Sequence, residues 1–523
     1  MSIVAVPVRL ASASAVFFGR RGAVSSQAEQ RRVSRQRLYR EADSVLRDLD
    51  STPLRQEIAR LRQQLADLQT RLRLLQAARH RAVVVTAQMQ GEFAATAQAE
   101  GVSLPVARRL LAVLLPDNTP SVAQLGRQSR QAALRAGALL EVFDEHARPR
   151  ARRAAADEIF FGRQPVLMVV EPESQCWLCG RLSQRRDGEQ WAKELQRLPA
   201  LEHLVRDGGK GLANGLARVN QQRRHNERPL ISDQLDHFHT LREGRRALRI
   251  TQARAERAWA KAEEADKKVA RMDRRGQALT GYATQAVLCW QKAEQAFHHW
   301  EDAERVLEQI RQAFRPFSPE GEQNTRQRAE QIVRALLPQL PGEHWEKFKR
   351  LLLCPETYTY LDRLKGRAET LAVSDEVKEA VVASEGIRQN PALVQGEGPR
   401  QAAWRGLMLV WGVLIASAGE AGQQAVAAMR QAVLCAGRAS SCVEGLNSVV
   451  RLQQSRHRKV TQELLGLKRL YWNLRQFRTG RRKKTSPYQR LGVRLPPELS
   501  WWQLLQLTPD QLRSLLSAQQ AAP

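Results

Sequence analysis

The chain has 523 residues, 43% of them hydrophobic, which is enough for two to four domains with buried cores. Lys and Arg number 83 against 54 acids, a formal net charge of +29. That excess points first to nucleic acid, because basic side chains neutralise phosphates and release counterions; an anionic membrane surface would attract it too, and ribosomal and other RNA-binding proteins share the balance. Six scattered cysteines exclude a disulfide framework and fit a reducing compartment. The longest apolar run, 406–419, is shorter than the roughly 20 residues a membrane span needs, and it reads as a buried helix.

The first 18 residues are mildly apolar, but Arg9 interrupts them and no strong cleavage site follows, so no signal peptide is expected. Within 1–50, Ala28 precedes Arg32, Val33 and Ser34 at the spacing of a helix-turn-helix, with Arg32 where glycine is usual. The next helix would present Arg35, Gln36, Arg37, Tyr39 and Arg40, a polar set suited to phosphates and base edges. A solvated basic helix is the plainer alternative. Over 51–80, Leu54, Ile58, Leu61, Leu65, Leu68, Leu72 and Leu75 alternate spacings of four and three, and Pro53 suits a first helical turn. This is a coiled-coil seam, which pairs two subunits or packs on the chain's own core. Within 90–150, Ala97, Gly101, Val102 and Ser103 form a second helix-turn-helix candidate. Gly101 can take the left-handed turn, Ser103 can cap the second helix, and that helix carries Arg108 and Arg109. An ordinary helical hairpin explains the same pattern.

Composition changes near Ala154. Short apolar runs at 159–161, 165–170 and 175–182, separated by Gly162 and Pro172, read as a meander of three strands. An amphipathic helix over 187–197 follows, then a short strand, 201–205, just before Asp207. Cys176 and Cys179 form a CxxC, but no second pair completes a zinc site, and ordinary strand residues are the better reading.

These segments resemble the core of the DDE transposases of bacterial insertion sequences. ADEIFF resembles the family's first-strand motif and gives Asp157; VRDGGKGL resembles its second-Asp motif and gives Asp207. DQLDHFHTLREG resembles the fifth strand and the D-x-F-H region, with Asp236 and His239 at matching positions; His237 is left unassigned. SSCVEGLNSVVRLQQSRHRKVTQ resembles the final helix, with Glu444 as third acid. Glu171, at the end of the next apolar run, is the alternative first acid. The resemblance implies an α+β fold. A ribonuclease H-like mixed-sheet core (154–240 and 438–495) is split by an all-helical insertion (241–437), behind a helical DNA-binding and coiled-coil region; a helical tail, 496–523, ends the chain. Several transposases of this fold, the hAT group among them, carry a large insertion at this point.

The same resemblance implies two divalent ions, Mg2+ or Mn2+, at Asp157, Asp207 and Glu444. Hard cations prefer carboxylate oxygens, and clustered carboxylates need a cation to stay ionised together. One ion would activate the attacking oxygen of a phosphodiester displacement and the other stabilise the leaving one. Arg451, Arg456 and Lys459 beyond Glu444, and Arg481 and Arg482 in the loop 478–488, are further DNA-binding candidates. The insertion reads as helical, with a break near Gly276 and Gly281, a connector at 386–400, and Trp259, Trp290 and Trp300 filling a helical core. The expected function is cleavage and strand transfer at the ends of the chain's own element. The partners are double-stranded DNA (ends and target) and a second copy, in a bacterial cytoplasm at the nucleoid, with no membrane. A nuclease without strand transfer and an inactive DNA-binding descendant are the alternatives. If the leucine seam pairs two copies, charged substitutions at Leu61 and Leu68 should halve the mass seen by light scattering; an unchanged mass assigns the seam to internal packing.

Overall fold

The structure, a computed structural model, describes residues 5–50, 53–79, 85–115, 118–436, 440–454 and 460–521. The chain divides between Thr86 and Ala87 into two units. The first holds α1 (Ala5–Phe17), α2 (Ala23–Gln30), α3 (Arg35–Asp50) and α4 (Pro53–Arg79). Its small apolar core of Ala13, Ala42 and Val45 is reinforced by a polar tie. Arg31 lies 2.7 Å from Glu41, which also accepts from the Ser12 hydroxyl at 2.7 Å. The Arg31 hydrogen bond holds the Glu41 carboxyl well down, at about 2. Along α4, Leu61, Leu65, Leu68 and Leu72 are 51–62% exposed, so the middle of this seam is uncovered among the described residues; the burial of Leu54, Ile58 and Leu75 lies outside them.

The second unit begins with α5 (Ala87–Ala99), α6 (Leu104–Leu114) and α7 (Val122–Ala147). The two turns expected from spacing have the same backbone. Val33 N–H donates to Ala28 O (3.0 Å) and Arg32 N–H to Glu29 O (3.1 Å); Val102 donates to Ala97 O (2.7 Å) and Gly101 to Gln98 O (3.1 Å). Both are left-handed helix terminations, with φ +51° at Arg32 and +80° at Gly101. Arg32 therefore adopts the conformation that glycine would take at less cost. Ser103 occupies the N-cap position of α6, but its hydroxyl makes no cap bond. Pro105 follows at the second helical position and lacks one of the two N–H groups such a cap uses.

A five-stranded mixed sheet follows: β1 (Arg153–Phe161), β2 (Gln164–Val170), β3 (Trp177–Leu182), β4 (His203–Arg206) and β5 (Ser232–Leu235). The order is β3-β2-β1-β4-β5, antiparallel from β1 to β3, with β4 and β5 running parallel to β1. The antiparallel side is built from hairpins. The parallel side needs crossovers, supplied by α8 (Gly188–Gln196) and α9 (Lys210–His225). β1 begins earlier than its aromatic end suggests, because Ala154, Ala155 and Ala156 are small enough to be buried on both sheet faces. Cys179 lies on β3 and is buried, its thiol pushed up by that burial.

The inserted helices are α10 (His237–Asp273), α11 (Thr280–Ala313), α12 (Arg326–Leu336), α13 (Glu346–Leu352), α14 (Thr359–Glu369), α15 (Asp375–Gln389), α16 (Pro399–Ser417) and α17 (Gly419–Leu434). The break between α10 and α11 falls at Gly276, whose φ is +63°. The tryptophans fill a helical core only in part: Trp290 packs half-buried against the α10–α11 contact, whereas Trp259 is exposed. Trp259, Trp290, Phe297 and Trp300 make an edge-to-face row across α10 and α11, with Trp259 42% exposed, while Ala262, Cys289 and Ala293 form the buried contact. The apolar run at 406–419 is not buried. On α16, Leu409 is 73% and Val413 69% exposed, since hydropathy does not say which faces find partners; α15 and α17 cover only the side of Trp411, Leu414 and Ile415. Among the described residues no single helix is long and apolar enough to cross a membrane; α16 and α17 pass only as a pair bent by 120°.

The chain returns to the sheet as α18 (Ser441–Gln454) and α19 (Gln462–Leu474), then ends in α20 (Pro487–Arg490), α21 (Trp501–Leu505) and α22 (Pro509–Ala521), whose Trp502, Leu505, Leu512 and Leu516 join the main core. On that face α8 and α9 meet through glycines. A Cβ on Gly211 would lie 1.9 Å from Arg186 O, and one on Gly215 2.5 Å from Trp191 Cβ. Gly211→Ala must push backbone apart and should cost about 1–3 kcal/mol. Gly366→Ala, on a helix with open space around it, should be neutral or stabilise by up to about 1 kcal/mol. Urea midpoints of the two variants check both signs.

Candidate metal centre

On β1, Ala155, Asp157 and Ile159 alternate onto the face covered by α18, where Val443, Leu446 and Val450 make one apolar stripe. The parallel register pairs Ala155 with Val205 and Ala156 with Arg206. The next residues along are Asp157 and Asp207, so the two acids follow the last paired positions of adjacent strands. Val205 packs in the α18-side core, so Asp207, two residues on, leaves the strand on that same side. Its Oδ1 accepts from Gly209 N–H at 3.0 Å, which fixes it in the DGG turn. Glu158 points the other way and accepts from Trp191 Nε1 at 2.8 Å.

Glu444 and Asn447 flank the apolar stripe of α18, one turn apart. Asn447 is fully buried and its Nδ2 donates to Asp157 Oδ2 at 2.7 Å. Asp157, His239 and Glu444 each offer a ligand atom, all within 4.8 Å of one another. Asp207 is outside that trio, yet its charge raises the Asp157 pKa. Of the three acids expected from sequence, Asp157 and Glu444 thus converge tightly and Asp207 borders them. Arg451 reaches back to Glu444 at 3.8 Å.

His239 binds the group together. Its Nδ1 is 2.5 Å from Asp236 Oδ2 and its Nε2 is 3.2 Å from Glu444 Oε1. Asp236 also caps α10, accepting from Phe238 N–H at 2.8 Å, and accepts from the Ser440 hydroxyl. Burial alone would lower the His239 pKa, but the hydrogen bonds to Asp236 and Glu444 outweigh it and lift it to about 10. His239 is then an imidazolium lying between acids. His237 takes no part; it bonds Thr357 O at 2.8 Å and stacks on Phe314.

Glu171 does not join the cluster. β2 runs antiparallel to β1, and Val170 pairs with Ala155, which sets Glu171 beside Ala154, toward the start of β1. Its Oε2 accepts from Ser174 N–H (2.6 Å) and Ser174 Oγ (2.5 Å), closing the turn into β3. Arg482 lines a cavity with Arg153 and His203, at the end of the sheet where β1 and β4 begin, away from the acids. Arg456, Lys459 and the side chain of Arg481 lie outside the described residues. Arg35, Gln36, Arg37 and Arg40 on α3, and Arg108 and Arg109 on α6, are exposed, with Arg37 paired to Glu41 at 3.2 Å. Asn447, the anchor of Asp157, is not among the residues expected from sequence; its only signal there is the spacing of three from Glu444 on one helix.

The donor set fits a divalent cation. Asp157 is 6% exposed, and burial, with repulsion from Glu444 and Asp207, pushes its pKa up to about 7. A cation would relieve that cost, and the amide oxygen of Asn447, buried with no hydrogen-bond partner among the described residues, is on the same amide that holds Asp157. With His239 occupied at both nitrogens, the carboxylates are the natural ligands for a hard ion.

These shifts set a pH dependence. Asp157 is raised above its unfolded value, so its ionisation costs stability as pH climbs from about 4 through about 7. The His239 contribution is complete below about 6.5 and fades toward about 10. Both make the metal-free protein less stable at about pH 8 than at about pH 5. Asp157→Asn should raise the metal-free unfolding temperature by several degrees at about pH 8 and by less at about pH 5; a lower value at both would refute the burial argument. No protein-family model matches the chain, and no curated protein is similar to it.

Proposed function

We propose that this chain is a DDE-type transposase with a ribonuclease H-like core, cutting and joining DNA at the ends of its own element in the bacterial nucleoid. One observation carries the reading: Glu444, returning after the whole inserted segment, offers a ligand atom within 4.8 Å of one on Asp157. Asp157 on the first strand, Asp207 directly after the fourth and Glu444 on the helix covering that face are the positions the family resemblance implies. No local packing rule brings a residue so remote in sequence to a strand end already holding two acids. The strand order and the strongly basic composition support the same reading.

Two Mg2+ or Mn2+ ions at Asp157, Asp207 and Glu444 would supply the activation of the attacking oxygen and the neutralisation of the leaving one. The chain's own groups hold the acids for this. Asn447 orients Asp157, the Gly209 amide orients Asp207, and His239 and Arg451 restrain Glu444. The exposed arginines of α3 and α6 follow turns of the same geometry and are suited to double-stranded DNA, and the open leucine seam of α4 is suited to a second copy.

Asp207→Asn should abolish Mg2+- or Mn2+-dependent strand cleavage, a loss of at least about 100-fold, while leaving DNA affinity within about two-fold, since the basic surface is untouched. Full cleavage by that variant refutes the mechanism. Cleavage by the wild-type chain without joining of the cut end to new DNA would make it a nuclease instead.

A further inference from the structure

The inserted segment does not simply loop out of the sheet. Its residues 355–360 dock on β5: Thr357 O accepts from Gln234 Nε2 at 3.0 Å, and Tyr360 N–H donates to Gln234 Oε1 at 2.7 Å. α13 lies directly over the Asp207 turn, so close that a Cβ on Gly208 would sit 3.1 Å from Leu351 Cδ2. Between them is a cavity of about 530 Å³, lined by Asp207, His239, Lys210, Arg242, Arg350 and Glu356 among others. Arg206 and Lys347 also reach it but are committed, Arg206 to Asp233 at 2.7 Å and Lys347 to Glu243 at 2.9 Å. Lys210, Arg242 and Arg350 are exposed, and none of the three has an ion pair or side-chain hydrogen bond among the described residues.

A second cavity of about 650 Å³ shares Asp207, Gly209 and Lys210 with the first and continues to Arg185 and Asn214. The two cavities meet at the Asp207 turn and form a groove past the acids that carries Arg185, Lys210, Arg242 and Arg350, with Arg242 near enough to help hold the Glu444 pKa down. Asp207 and Glu356 share the cavity with these cations, so its charge is mixed, with the cations arrayed on either side of the acids. A single phosphate would occupy one end only. A chain of phosphodiesters would meet cations along the whole length while one of its phosphates lies at the acids.

We propose that this groove binds the sugar-phosphate backbone of the DNA strand being processed, and that the inserted segment supplies one wall of the site through Arg242 and Arg350. The inserted helices then act as part of the substrate site, and α13 is held on the Asp207 turn to bring Arg350 there. This rests on the strand-cleavage reading for the identity of the strand, but its contacts are testable without cleavage.

The test is the salt dependence of binding of the full chain to a mixed-sequence DNA duplex. Each phosphate contact contributes about 0.9 to the slope of log K against log salt. Arg242→Ala/Arg350→Ala should lower that slope by about 2 and weaken binding several-fold at moderate salt. Both side chains are exposed, so the unfolding temperature should not move. Lys365→Ala, removing an exposed cation paired with Glu369 elsewhere on the inserted segment, should leave the slope unchanged. An unchanged slope in the double variant, or an equal fall in the Lys365 variant, overturns the groove. Mg2+-dependent nicking by the wild-type chain is scored alongside. Nicking with an unchanged slope removes the groove and keeps the cleavage reading; a lowered slope without nicking removes the cleavage reading and keeps the groove. A wild-type chain that does not bind DNA overturns both.

Discussion

Asp157 is an ionisable carboxylate sealed into the central strand of the sheet, and the surrounding structure is arranged around the cost of holding it there. Two further acids stand beside it, and their charges add to burial in resisting its ionisation. The compensations come from separate elements. Asn447 on α18 donates to it, and His239 on α10 brings positive charge, itself held by Asp236 at the start of the same helix. In the metal-free chain this imidazolium does part of the work a cation would do. It lies between Asp236 and Glu444 and keeps α18 facing β1. Burying paired charges seldom adds net stability, but removing one partner leaves an uncompensated charge, so such a cluster fixes geometry more than it strengthens the fold.

That geometry depends on two crossings of the chain. The parallel register of β1 and β4 places Asp157 beside Asp207, and the helices flanking β4, α8 and α9, approach so closely that Gly211 and Gly215 leave no room for side chains. The return of α18 depends on the inserted segment being folded and docked. Gln234, fully buried on β5, bonds both ways with the inserted residues, accepting from Tyr360 N–H and donating to Thr357 O. An amide used in this way tolerates no mismatch, because each unsatisfied buried group costs about 1–3 kcal/mol. The insertion is therefore continuous with the core in its packing, although it is all helix and separates the two parts of the core by a long stretch of sequence.

Much of the local structure was legible in the sequence because it depends on neighbours in the chain. The strand runs, the helix after them, the break at Gly276 and the two helix terminations at Arg32 and Gly101 follow from alternation, glycine placement and spacing. The failures fall where burial decides. The run at 406–419 is apolar enough for a core helix, yet α16 presents Leu409 and Val413 to solvent. Trp259, Trp290 and Trp300 are large apolar groups in helical sequence and suggest a core, but the fully buried part of the α10–α11 contact is alanine and cysteine, with Trp290 half-buried against it and Trp259 exposed. Glu171 could not be separated from Asp157 by type or context. Strand direction separated them, since an antiparallel β2 carries Glu171 back toward the start of β1 and into the Ser174 turn.

By itself the sequence determined the order and kind of the elements, the positions of the acids within their motifs, and the basic character that favours a polyanionic partner. These are properties of short windows and of composition, where side-chain type and spacing suffice. Only the tertiary structure decided which acids meet. It joined Asp157 to Glu444 through Asn447 and His239, left Asp207 bordering them, and set Arg242 and Arg350 across the cavity from the DGG turn. Those relations join residues from tens to nearly three hundred positions apart. They arise from sheet register, helix docking and the closing of a long insertion against β5, none of which is written in any local run of residues.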